Sequence, residues 1–133
     1  KLNSPIDHIN PESAYGSSRF DFHITAGKQR AYLEIKGVTL EDEGVAKFPD
    51  APTQRGVKHI YELMEAAKEG FLAYVVFIVQ MKGISYVTPN DETHREFGQA
   101  LRQAHSQGVN IIAYDCKVAP DKLELDKAIP VIL

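Results

Sequence analysis

Nine consecutive apolar residues, Phe71 to Val79, constrain this chain more than any other stretch. A strand with one wet face alternates apolar and polar side chains. A run that is apolar at every position is covered on both faces and belongs near the middle of a sheet. The run is also too short for a membrane helix, which needs about 20 residues. No longer apolar run exists, so no membrane partner is expected.

The flanking sequence supplies neighbours for that central strand. Ser18 to Thr25 sets Phe20, Phe22 and Ile24 against Arg19, Asp21 and His23, a strand pattern. Ala26-Gly27-Lys28 turns the chain into a second strand, Ala31 to Lys36, with Leu33 and Ile35 opposite Tyr32, Glu34 and Lys36. After the apolar run, Met81-Lys82-Gly83 turns into a short strand at Ile84 to Val87. Val109 to Val118 reads as another strand, Ala119 to Lys122 as a turn, and Leu123 to Leu125 as a returning hairpin strand.

Two segments have helical spacing instead. Gln54 to Glu69 carries Val57, Ile60, Tyr61, Met64 and Ala67 on one stripe, and Gly70 stands where a helix ends. Thr93 and Glu96 form a capping-box pair before a second helix, with Phe97, Leu101 and Ala104 facing inward and Gly108 closing it. Residues 1 to 11 read as a linker or irregular arm, and Glu41 to Pro52 as a loop. The order strand, strand, helix, strand, strand, helix, strand predicts an α/β fold with one mixed sheet and flanking helices. At 133 residues this is about one domain.

The chemistry concentrates on the first two strands. Glu34 and Lys36 are two residues apart, so they share a face. If the strands are hairpin neighbours, Asp21 joins them. Two carboxylates can hold Mg²⁺ or Mn²⁺ while water and phosphate oxygens complete the shell, and Lys36 can act on developing charge. The same three residues also fit a solvated strand face with a cross-strand ion pair. Against that stands the apolar flank of both strands, since the centre of a sheet is a costly place for unpartnered carboxylates.

A second group, Arg55, Lys58, His59 and Glu62, lies at spacings of three and four near the start of the first helix. Cations there oppose the helix dipole unless an anion is bound, which fits a phosphate contact; a solvated helix face fits as well. The net charge of −3 excludes a whole-chain basic field, so any nucleic-acid contact must be local. The single cysteine, Cys116, cannot form an internal disulfide, lies in an apolar run, and fits a core role in a reducing, cytoplasmic setting. The chain opens on Lys1 rather than Met and reads as an excised fragment or a processed chain.

The string Gly44-Val-Ala-Lys-Phe-Pro-Asp-Ala-Pro-Thr-Gln-Arg-Gly-Val-Lys-His59 resembles the signature of the sugar fermentation stimulation protein A family. So do Ser18-Arg-Phe-Asp-Phe22 and Glu34-Ile-Lys-Gly-Val-Thr-Leu40, with further matches at Phe77 to Gln80, Gly108-Val109 and Pro130-Val131. The resemblance covers residues 12 to 133. It implies a restriction-endonuclease-like fold of the PD-(D/E)XK class with DNA as partner and Mg²⁺ or Mn²⁺ as cofactor. It places catalytic roles on Asp21, Glu34 and Lys36, and metal ligation on Asp21, Glu34 and the Ile35 carbonyl. DNA contacts fall on Arg19, Arg55, Lys58 and His59. Glu12, which matches a family acid just before the first strand, is a further candidate ligand, and Glu62 a further candidate site residue. Family members carry an OB-like N-terminal domain, of which residues 1 to 11 would be the linker or remnant. Gly37 departs from the Ser or Asn expected after Glu-x-Lys. The implied functions are a metal-dependent DNA phosphodiesterase or a non-cleaving, sequence-nonspecific DNA-binding regulator tied to sugar (maltose) metabolism.

Overall fold

The computed structural model describes residues 6, 8–15, 18–119 and 122–133. The elements are β1 (His8–Tyr15), β2 (Ser18–Ala26), β3 (Gln29–Val38), β4 (Leu40–Asp42), β5 (Val45–Phe48), α1 (Gln54–Lys68), β6 (Leu72–Val79), β7 (Tyr86–Pro89), α2 (Arg95–Ser106), β8 (Asn110–Ala119) and β9 (Lys122–Ile129).

The main sheet runs β1-β2-β3-β6-β8-β9. β3, β6 and β8 are mutually parallel, and the outer pairs β1/β2, β2/β3 and β8/β9 are antiparallel. The apolar run is therefore the inner strand β6, as its composition requires, and the α/β class with a mixed sheet holds. Ala73, Val75, Phe77 and Val79 face the core with Ile60, Leu63, Phe97 and Leu101 of the helices.

Both helices lie on one face of the sheet. α1 reaches it through His59, which meets Glu34; α2 reaches it through Phe97, which packs on Phe48, which packs on Phe77. The register places Leu33 beside Tyr74, and Ile35 beside Val76 and then Ile112 on the opposite face. These side chains are half-buried apart from the buried Val76, and no described helix covers them.

Several sequence expectations need correction. Glu41–Pro52 is not all loop: β4 and β5 form a hairpin, and β5 pairs in parallel with β7 in a separate three-stranded sheet. The hairpin turn at Glu43-Gly44 has both residues at positive φ, 50° and 82°, the geometry that lets two residues reverse a strand. The fourth strand starts later than expected, at Tyr86, and leaves the main sheet.

Residues 8–11, expected as linker, belong to β1. That strand is an edge, exposed on both sides from His8 to Glu12, so its sequence carries no apolar alternation to read, and an edge tolerates Pro11. On α1, Tyr61 is exposed while Leu63 and Ala66 join the core, because the buried face is centred one step round from the expected stripe. Thr93 does not cap α2. His94 occupies that position, and the Thr93 hydroxyl instead accepts from Asn90 Nδ2 at 2.8 Å. Cys116 is buried, and burial pushes its thiol up, consistent with a structural residue. The turn expected at Ala119–Lys122 has its centre, residues 120 and 121, outside the described residues.

Candidate functional site

The site forms where β2 parts from β3. Their ladder runs from Ala26/Gln29 as far as Phe22/Leu33. One step further, no ladder pair follows. Instead, Asp21 Oδ2 accepts the Ile35 N–H at 2.6 Å. The carboxylate thus replaces a backbone acceptor and is pinned next to Glu34. The strict alternation expected for β2 also breaks here. Phe22 shares the Leu33 face, whereas Phe20 packs on Tyr32 and edge-on to the His59 ring at 6.3 Å.

Glu34 is 4% exposed, which excludes a solvated strand face. Its Oε2 takes two donors, Lys36 Nζ at 3.1 Å and His59 Nδ1 at 2.5 Å. Its Oε1 is buried and has no hydrogen-bond partner among the described residues. An unpartnered buried carboxylate oxygen costs about 1–3 kcal/mol or more, so the orphan marks a place where a ligand would be welcome. Lys36 is largely buried, its side chain 13% exposed, and it cannot ligate a metal. Among the described residues, no three His, Cys, Asp or Glu side chains gather as a metal cluster. Two carboxylates with outside oxygens are nevertheless a donor set on which Mg²⁺ is held, usually together with substrate phosphates. The donors present fit a hard divalent cation.

α1 brings His59 down onto Glu34. Its N-terminus is fixed by Thr53, whose Oγ1 accepts the Gly56 N–H at 2.9 Å. The Thr53 N–H in turn donates to His94 Nδ1 at 3.1 Å, tying the starts of α1 and α2 together. Gly56 makes the approach possible: a Cβ there would meet Thr53 Cγ2 at 2.8 Å and Phe97 Cε1 at 3.3 Å.

The expected basic face splits. Arg55 and Lys58 are exposed, but His59 is buried and turned into the site, because it sits at the border of the buried arc of the helix. Glu62 is half-buried, and its charge acts on the Tyr15 phenol, which is raised chiefly by burial and by its bond to Glu69. Arg19 is exposed on β2. Glu12 lies inside β1 rather than before the first strand, exposed and at φ 52°. The pairs Pro11/Phe22 and Ser13/Phe20 bracket it opposite Asp21. Ile35 engages the site by its N–H, a contact not anticipated from sequence.

Two further charged groups went unread. Asp115, in the middle of β8 where its pairing with β9 shifts register, accepts the Lys127 N–H at 2.8 Å and Lys82 Nζ at 3.1 Å, and Lys82 also donates to Asp126. The Lys127 N–H and the Lys82 ammonium hold the Asp115 carboxyl below the usual carboxylate range. His23 is buried against Tyr32, ring centroids 4.8 Å apart, and burial, then the Arg30 charge, pushes its imidazole down. Their signal, charged residues in otherwise apolar strands, is present in the sequence but names no partner.

Comparison with known proteins converges on one family. The family model described as "Sugar fermentation stimulation protein RE domain" matches residues 1–122. A sugar fermentation stimulation protein homolog of Desulfitobacterium hafniense (strain Y51) is 57% identical over 119 residues, which is 90% of this chain and 52% of its own length. One from Clostridium beijerinckii is 50% identical over 125 residues, 94% of this chain and 55% of its own length. The solved structure of Pyrococcus furiosus SfsA in complex with Ca²⁺ superposes with a TM-score of 0.87 at 28% identity, covering 94% of this chain and 55% of that one. The chain spans about half the length of the curated relatives it matches.

Proposed function

The chain belongs to the sugar fermentation stimulation protein family, and on that premise we propose that it carries a divalent-cation site for DNA phosphodiester chemistry. In this reading the fold is the restriction-endonuclease-like PD-(D/E)XK class, and Asp21 and Glu34 hold Mg²⁺ or Mn²⁺. The observation that carries it is the buried, partnerless Glu34 Oε1, with Asp21 pinned to the N–H of the next residue, Ile35. The Ca²⁺ of the Pyrococcus relative supports it, because Ca²⁺ is a hard cation that seeks oxygen donors of this kind. The Ile35 carbonyl is a proposed third donor.

When bound, the cation would activate water and offset charge on the phosphoryl oxygens. The remaining tasks fall to the chain itself. Lys36 lies on the same oxygen-rich face and supplies a positive charge toward a phosphate or an attacking water. Arg55 and Lys58, exposed at the start of α1, bind backbone phosphates, with Arg19 as a further contact. Such contacts are independent of sequence, in keeping with a non-specific DNA partner.

A second reading keeps DNA binding without cleavage. Lys36 favours it, since its ammonium is already engaged by Glu34 Oε2. Incubation of supercoiled DNA with the protein and Mn²⁺ separates the two. Nicking that disappears in Glu34→Gln establishes the enzyme. Retarded but intact DNA establishes the binding module.

A further inference from the structure

We propose that His59 is a positioning residue for the cation site rather than a phosphate contact: it grips Glu34 by Oε2 and so presents Oε1 to the metal. The inference rests on the reading of Glu34 as a ligand and adds a role for a residue on a different element.

The geometry is asymmetric in an informative way. Both donors that reach Glu34 converge on one oxygen, His59 Nδ1 at 2.5 Å and Lys36 Nζ at 3.1 Å, and neither serves the other. A carboxylate oxygen only accepts, so Nδ1 carries the hydrogen in this bond. A carboxylate held by one oxygen has its second oxygen fixed in direction. That second oxygen is the buried, partnerless atom. Ligating carboxylates are commonly oriented by such a partner, and its loss weakens metal binding by about 10- to 100-fold.

His59 is also built to be rigid. It is 6% exposed, its ring stands edge-on to Phe20, and the first turn of α1 is fixed by the Thr53 cap and by His94. A phosphate contact needs an accessible side chain; a gripping residue needs a buried and immobile one. Lys36 cannot substitute fully, because it stands on the same strand as Glu34 and moves with it, whereas His59 anchors β3 to α1.

Mn²⁺ titration by calorimetry, paired with thermal unfolding in EDTA, tests this on wild type, Glu34→Gln, His59→Phe, His59→Gln and His59→Asn. Asn places its amide N–H near the Nδ1 position, Gln places it farther out, and Phe has none. The expected result is a loss of Mn²⁺ affinity of about 10- to 100-fold in His59→Phe and His59→Gln, with His59→Asn within a few-fold of wild type. Unfolding in EDTA would not track that order. If His59→Phe does not fold, His59→Gln against His59→Asn decides. Wild-type affinity in the Gln variant, or equal losses in Gln and Asn, would overturn the role of His59. No Mn²⁺ binding by wild type, or unchanged binding by Glu34→Gln, would instead overturn the underlying cation site, and this inference with it.

Discussion

His59 Nδ1 and Glu34 Oε2 meet at 2.5 Å across the interface between α1 and β3, both side chains buried. The contact joins two stretches that the sequence presents as separate, an acidic strand motif and a basic helix. It makes the candidate site a joint product of sheet and helix. Whatever fixes the first turn of α1 therefore bears on the site.

Gly56 is such a fixture. Alanine there gains up to about 1 kcal/mol in helix propensity, but its Cβ would press on Thr53 and Phe97. Overpacking and a disturbed cap outweigh the gain, so Gly56→Ala is expected to destabilise by about 1–2 kcal/mol. Urea unfolding at neutral pH measures this, and a stabilised variant would show that α1 has room to shift.

Lys36 and the carboxylates divide the work. Lys36→Ala is expected to cut cleavage about 10²- to 10³-fold while leaving Mn²⁺ affinity unchanged or higher, because a nearby positive charge is removed and His59 still holds Glu34. Asp21→Asn weakens the metal first. Single-turnover nicking and calorimetry on the same preparations give both values, and a Lys36 variant that cleaves normally removes Lys36 from the site.

The exposed pair on α1 is expected to govern salt dependence. Replacing Arg55 and Lys58 together by alanine should weaken DNA binding equally for all sequences. The slope of log affinity against log salt should become shallower by about two, the change expected for two lost phosphate contacts. An unchanged slope would mark the pair as a solvated helix face.

His23 sets a pH dependence of stability. Its folded value lies below the ordinary imidazole range, so the unfolded chain binds the proton more readily. Stability is full above about pH 6.5 and falls as pH drops from there towards the folded value. His23→Gln removes that fall. Denaturant unfolding between pH 7.5 and 5 compares the two slopes, and equal slopes would exclude His23 as the cause.

What was legible in the sequence follows from where the signal lies. Phe71–Val79 announces an inner strand by its unbroken apolar composition, although Leu72, Tyr74 and Ile78 on its second face are only half-buried. Strand alternation and the family resemblance together singled out Asp21, Glu34 and Lys36; the break in the β2 alternation and the Asp21 bond to the Ile35 N–H left no trace in the sequence. β1 was missed because an exposed edge strand is held by backbone bonds that leave no side-chain pattern. The β5/β7 pairing was missed because Val45–Phe48 and Tyr86–Pro89 are short and far apart in the chain. His59 was read as part of an exposed basic helix face, whereas the structure buries it against Glu34. Its burial depends on how α1 is rotated against β3, and the true rotation showed only in Leu63 and Ala66 rather than Tyr61.

The central claim is that Asp21 and Glu34 hold a divalent cation. An anomalous difference map from crystals grown with Mn²⁺ tests it most directly. A peak within ligating distance of Glu34 Oε1 and the Asp21 carboxylate is the predicted result. A map with Mn²⁺ at other sites and none between these two carboxylates would contradict it.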